Sequence, residues 1–123
     1  MAEAIARSVG GNEVQAFSAG LHPMGRVAEG SLMALGELGH STEGLRSKGL
    51  NDIDLDSMDL IVSLMGPEGL SPLPRRLCAD KIAWGIPDPY GEDDESYLAV
   101  AALLEKKISS LISSQRVAEP FSL

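Results

Sequence analysis

A chain of 123 residues with 44% apolar content can bury one ordinary hydrophobic core, which excludes a multidomain or disordered protein. Its net charge of −8, with ten scattered Lys and Arg, excludes a general attraction to nucleic acid, which needs clustered cations. No apolar run approaches the roughly 20 residues of a membrane span and no basic-then-apolar leader opens the chain, so no membrane partner and a cytoplasmic location are expected.

In chain order, Ala2, Ile5, Ala6 and Val9 share one helical face and Gly10-Gly11-Asn12 stops the run, which predicts a helix over 1–9. Val14 to Ser18 is short, β-prone and followed by Gly20, and reads as a strand. Val27 to Leu38 sets Ala28, Leu32, Leu35 and Leu38 on a helical stripe that Gly39 ends. Asp59 to Met65 is an apolar run of strand length bounded by Gly66-Pro67, the pattern of a strand buried on both faces of a parallel sheet.

Three prolines and one glycine break the stretch from Pro67 to Pro74, so only a short helix fits there. Lys81 to Ile86 predicts another strand before the turn-forming Pro87-Asp88-Pro89. After the acidic Asp93-Asp94-Glu95, which suits a helix N-terminus, Tyr97, Ala101, Leu104, Ile108, Leu111 and Ile112 form a stripe that predicts a helix over 94–114. The acidic stretches Asp52 to Asp59 and Glu92 to Glu95 read as solvated loops and helix starts.

The alternation of helices and strands is that of a parallel α/β sheet. Helix 1 begins at Met1 with no residue to cap its free N–H groups, whereas a doubly wound domain normally enters its first helix from a strand. The chain reads as though it starts one strand late. Cys78 is the only cysteine, which excludes an intrachain disulfide and a cysteine-based metal cluster. His22 and His40 stand too far apart to suggest a metal site, so neither metal nor cofactor is expected.

Several segments occur in an order that carries a resemblance: Met1-Ala2-Glu3-Ala4-Ile5-Ala6, Ser18-Ala19-Gly20, Arg46-Ser47-Lys48, Asp59-Leu60-Ile61-Val62 and Trp84-Gly85-Ile86-Pro87-Asp88-Pro89-Tyr90. Together they resemble the low-molecular-weight protein tyrosine phosphatases and the arsenate reductases of the same fold, with Arg46-Ser47-Lys48 similar to a stretch common in bacterial members. The resemblance implies a three-layer α/β fold with a parallel sheet that lacks its first, central strand. It implies one truncated phosphatase-like domain over residues 1–115 and a C-terminal tail over 116–123.

In that family a cysteine thiolate attacks phosphorus, backbone N–H groups and an arginine hold the equatorial oxygens, and an aspartic acid protonates the leaving phenolate. By resemblance Asp88 is the general acid, Tyr90 lines the mouth of the substrate pocket, and Ser18 is a hydroxyl bracing the phosphate loop. The implied partner is a phosphorylated protein or aryl phosphate, provided that the upstream loop is present.

Two departures qualify that implication. The family motif of Cys, five residues, Arg and then Ser-Pro should lie just before Met1 and does not occur within the chain; Cys78 has no arginine at that spacing and reads as a small core or near-surface thiol. Where the family often places an aspartate after the strand's Met, this chain has Gly66. Catalysis by the chain as given is therefore not expected. An arsenate reductase needs a relay of further cysteines to carry a disulfide away, which one cysteine cannot provide, so the phosphatase branch is preferred.

Three readings follow: a piece of a longer, active phosphatase; a pseudo-phosphatase binding module, with at most a weak phosphate site at the N-terminus of helix 1; or an assembly module. The third follows from sheet geometry, since removing a central strand leaves 14–18 and 59–65 about 9–10 Å apart with unpaired backbone groups. Dimerisation or repacking of the sheet is expected to relieve that arrangement.

Overall fold

The computed structural model describes residues 1–20, 25 and 27–118, with only the backbone of 115–118. Residues 21–24, with His22 among them, 26 and 119–123 lie outside the described residues. Three helices form the bulk of the domain: α1 (Ala2–Gly10), α2 (Glu29–Glu37) and α3 (Asp94–Ala118). Two short strands, β1 (Leu60–Ser63) and β2 (Asp80–Ala83), pair in parallel with Leu60 opposite Asp80 and Ser63 opposite Ala83.

The α3 stripe is as its periodicity predicts at five of its six positions; Leu111 is only half-buried, and Val100 is buried in addition. Tyr97, Val100, Ala101, Leu104, Ile108 and Ile112 are buried, and Ile5 of α1 and Leu35 of α2 reach zero exposure against them. Burying each such side chain contributes about 1.5–3 kcal/mol, so this three-helix contact is the main store of stability. The helix runs to Ala118, four residues beyond the expected 114, and so takes in the first residues of the expected tail. Leu64, Trp84 and Ile86, just past the two strands, pack onto the same cluster and bring the sheet under the helices.

On α2 the stripe is rotated from the expected one. Leu32 is 37% exposed and Ala34 is fully buried, because the helix meets α3 through its small residues. A Cβ on Gly30 would fall inside the Tyr97 ring, so the close approach of α2 to Tyr97 requires glycine. Just beyond α2, Nε2 of the buried His40 lies 2.7 Å from Oε2 of Glu105 on α3, a second tie between these elements. His40 is thus a core histidine, as its isolation in the sequence suggests.

The sheet corrects two expectations. Residues 14–18 form no strand: a 3₁₀ turn occupies Gly11–Glu13, Val14 is extended, and the pairing of this segment among the described residues is one parallel bridge from Gly20 to Gly49. β-propensity alone makes no strand without a neighbouring backbone to bond, and β1 does not serve as that neighbour. The expected repacking of 14–18 against 59–65 therefore does not occur. β1 itself is half-buried at Leu60, Ile61 and Val62 and buried only at Ser63, not buried on both faces throughout.

Between the strands, Pro67–Leu70 is a single 3₁₀ turn, in keeping with Pro67, Gly69 and the prolines at 72 and 74. Asp52, Asp54, Asp56 and Asp59 are exposed around two further 3₁₀ turns, the solvated loops that their charge predicts. Among the described residues no helix is long and apolar enough to cross a membrane, and no group of three His, Cys, Asp or Glu is placed to hold a metal ion.

Candidate functional site

The loop from Trp84 to Tyr90 is held at both ends. At its start, Trp84 N donates to Ser63 O at 2.7 Å and Gly66 N donates to Trp84 O at 2.8 Å. Ile86 N donates to Leu64 O at 3.0 Å, and the Lys107 ammonium lies 5.5 Å from the centre of the Trp84 ring, a cation–π contact with α3. At its far end Glu92 N donates to Pro89 O at 2.9 Å, and Pro89 is buried. Asp93 then caps α3, accepting from the Ser96 hydroxyl at 2.8 Å and the Ser96 amide at 3.0 Å. Those bonds, the hydroxyl's first, hold the Asp93 carboxyl below its ordinary range.

Asp88 and Tyr90 sit together on this anchored loop. Oδ1 of Asp88 accepts from the Tyr90 amide at 3.0 Å, an Asx turn that fixes the carboxylate, and its second oxygen is free in solvent. Tyr90 is 57% exposed. A carboxyl on a rigid turn beside an exposed aromatic ring is able to deliver a proton to an aryl group stacked on that ring.

The third residue singled out in the sequence, Ser18, belongs to a different cluster, and no hydrogen bond links it to Asp88 or Tyr90. Its hydroxyl donates to Oε1 of Glu3 at 2.9 Å. The same oxygen accepts from Lys48 Nζ at 2.8 Å, and Arg7 lies 3.0 Å from Oε2. The Glu3 side chain is 1% exposed and that of Lys48 8%. Burial pushes the Glu3 carboxyl up, but hydrogen bonds from Lys48 and Ser18 and the charges of Lys48 and Arg7 outweigh it and hold the group below the ordinary carboxylate range.

This buried ion pair was missed as a functional element, although both of its segments carry the family resemblance. Glu3 occupies the first turn of α1, where a negative charge also complements the helix dipole. Lys48 is brought there because Gly20 N donates to Lys48 O at 2.8 Å, tying the 45–50 segment beside Ser18. The available signal was the Glu3–Arg7 spacing of four on a helix whose next two residues are core; nothing in the sequence identified Lys48 as the partner.

Cys78 is exposed, with its thiol 3.9 Å from the Arg76 carbonyl and Trp84 standing where an arginine would complete the family spacing. Gly66 takes φ 80° and ψ −165°, a region essentially restricted to glycine, which accounts for the absence of an aspartate at that position.

The pattern of the family described as low molecular weight phosphotyrosine protein phosphatase matches residues 1–120. A glutaredoxin arsenate reductase of Synechocystis sp. is 27% identical over 115 residues, covering 92% of this chain and 86% of the relative. Among solved structures, an arsenate reductase from Archaeoglobus fulgidus is similar at 25% identity and a TM-score of 0.74, covering 91% of this chain and 87% of that one. The tyrosine phosphatase Wzb from Escherichia coli K30, with sulphate bound, has the same fold at a TM-score of 0.80 and 20% identity, covering 93% and 87%.

Proposed function

The chain belongs to the low molecular weight phosphotyrosine protein phosphatase family, and from that membership we propose that it carries the acid half of the phosphatase site without the nucleophilic half. The observation that carries this reading is the Asp88–Tyr90 turn, anchored to β1 and α3 with a free carboxylate oxygen, in a chain whose single cysteine is exposed and lacks its arginine. Asp88 is the general acid, Tyr90 lines the pocket mouth, and Ser18 acts through Glu3 on the segment from which the phosphate loop's helix runs. The substrate class is a phosphorylated protein or aryl phosphate, and the setting is cytoplasmic.

Hydrolysis by the family route needs a thiolate in line with the P–O bond and donors for three oxygens, then release of the phenolate as Asp88 gives up its proton. None of the 123 residues supplies that thiolate, so the chain by itself does not turn over aryl phosphates. As a module it covers residues 1–115 and serves as a pseudo-phosphatase scaffold, or as a working phosphatase once the loop is supplied. The test is to extend the chain before Met1 with a family strand and Cys-loop and assay p-nitrophenyl phosphate. Turnover that falls by about 10²-fold or more in Asp88→Asn supports the acid role; turnover indifferent to that change overturns it.

The arsenate reductase relative favours a second reading, in which the same scaffold serves arsenate reduction. The exposed, solitary Cys78 weighs against it, because a thiol oxidised in such a cycle needs a second thiol to take up the disulfide. Arsenate-dependent thiol oxidation by the loop-extended chain, absent in its Cys78→Ser variant, would favour this second reading.

A further inference from the structure

Glu3 sets up an electrostatic conflict that its neighbours resolve. It stands in the first turn of α1 with its side chain 1% exposed. In the proposed reading the phosphate loop runs into this turn, so the Glu3 carboxylate and a dianionic phosphoryl group compete for the positive end of one helix. Burial takes water away from the carboxylate and so strengthens its repulsion of a nearby anion. Protonation does not remove that charge at neutral pH: burial pushes the carboxyl up, but the hydrogen bonds from Lys48 and Ser18 and the charges of Lys48 and Arg7 hold it below its ordinary range.

Two cations answer the carboxylate. Arg7 lies 3.0 Å from Oε2, but it is 45% exposed and also donates to Ala16 O at 3.4 Å, so its charge is shared and screened by solvent. Lys48 Nζ lies 2.8 Å from Oε1 at 8% exposure, where screening is weak. Asp52, the next acidic group on the Lys48 segment, is exposed and accepts from the Gly49 amide at 2.7 Å. The cluster thus sets two positive charges against one negative in a chain whose net charge is −8.

We infer that Lys48 is a positioning residue for phosphate binding: it holds and neutralises the Glu3 carboxylate, so that the first turn of α1 stays positive toward a dianion. Lys48 touches no reacting atom and moves no proton. The inference rests on the proposed reading in one respect, that the phosphate loop precedes α1, and it does not pass through Asp88.

The test is calorimetry of the loop-extended chain with inorganic phosphate. The Met1 ammonium, which also faces Glu3, becomes a peptide nitrogen in that protein and drops out of the comparison. Lys48→Met should raise the phosphate dissociation constant at least about fivefold, and Lys48→Arg should keep most of the parent affinity. Glu3→Gln should tighten binding, although it weakens a buried contact. A dianion feels the field twice as strongly as a monoanion, so the loss in Lys48→Met should grow as pH rises through the second ionisation of phosphate; a purely structural role would leave it flat. In p-nitrophenyl phosphate turnover the same variant should raise KM and leave kcat little changed. Should Lys48→Met fail to fold, the double variant Glu3→Gln with Lys48→Met, which keeps the positive surplus through Arg7, is read instead and should bind phosphate about as the parent does. Equal affinity in the parent and Lys48→Met, weaker binding by Glu3→Gln or by the double variant, or no binding by the extended chain overturns the inference. Phosphate binding that follows these changes beside turnover indifferent to Asp88→Asn supports it and overturns only the acid role.

Discussion

Lys48 Nζ lies 2.8 Å from Oε1 of Glu3, and this single contact ties the segment after α2 to the first turn of α1, 45 residues away. Both side chains are almost wholly buried. The pair orients the start of α1, the helix that by resemblance follows the phosphate loop, so its integrity bears on the site as well as on stability.

Removing one partner of such a pair leaves a buried charge uncompensated. Lys48→Met should destabilise the fold by about 3 kcal/mol, the lower end of the usual range because Ser18 and Arg7 still contact Glu3. The double variant Glu3→Gln with Lys48→Met should recover most of that loss. Urea unfolding of the three proteins measures both effects, and equal instability of single and double variants would show that the pair is not what Lys48 contributes.

The sign of the pH dependence follows from Glu3. Its folded pKa is lowered from 4.5, so its contribution is present in full above that value and is lost as pH falls through the folded one. Asp93, also lowered, acts in the same direction. Urea midpoints taken from pH 7 to pH 3 should decline on the acid side, and Glu3→Gln should flatten that decline while lowering the midpoint at pH 7.

Close approach of α2 to Tyr97 gives a third prediction. Gly30→Ala places a Cβ inside the ring, an overpacking that costs about 1–3 kcal/mol, while the gain in helix propensity offsets about 1 kcal/mol of it. The net effect should be destabilising, and it should shrink or reverse in a Tyr97→Leu background, where the ring is gone. A double-mutant cycle in urea reads the coupling directly.

Gly66→Asp restores the residue that family members often have after this strand. Here the backbone at φ 80°, ψ −165° opposes it, and the strain should cost about 1–3 kcal/mol. The accompanying loss is of local order: Gly66 N bonds Trp84 O and Ser63 Oγ donates to Gly66 O at 2.7 Å, so the Trp84 fluorescence should change with the substitution.

Much of the fold was legible in the sequence because helices report their own burial. The stripe from Tyr97 to Ile112 follows from a period that needs no knowledge of the rest of the chain, whereas its contact with Ile5 of α1 is one that no period contains. Strands do not report themselves in this way. Residues 14–18 have the composition of a strand and the extended backbone of one at Val14, yet they find no ladder, since pairing depends on what stands beside them. Leu32 was misplaced for a related reason: the facing of α2 is decided by the Tyr97 ring meeting Gly30, a contact across 67 positions of sequence that no periodicity contains.

The site shows the same division. Asp88 and Tyr90 are two residues apart on one turn, and their association could be read from Pro87-Asp88-Pro89-Tyr90. Ser18 was identified by resemblance, but its true partners, Glu3 and Lys48, come from two other segments and meet only through tertiary packing.

The most direct test of the central claim is a p-nitrophenyl phosphate assay of the 123-residue chain beside its Cys78→Ser and Asp88→Asn variants. An acid without a nucleophile predicts hydrolysis at the uncatalysed rate for all three proteins. Turnover by the parent chain that Cys78→Ser abolishes would contradict the account, because the exposed thiol would then be serving as the nucleophile.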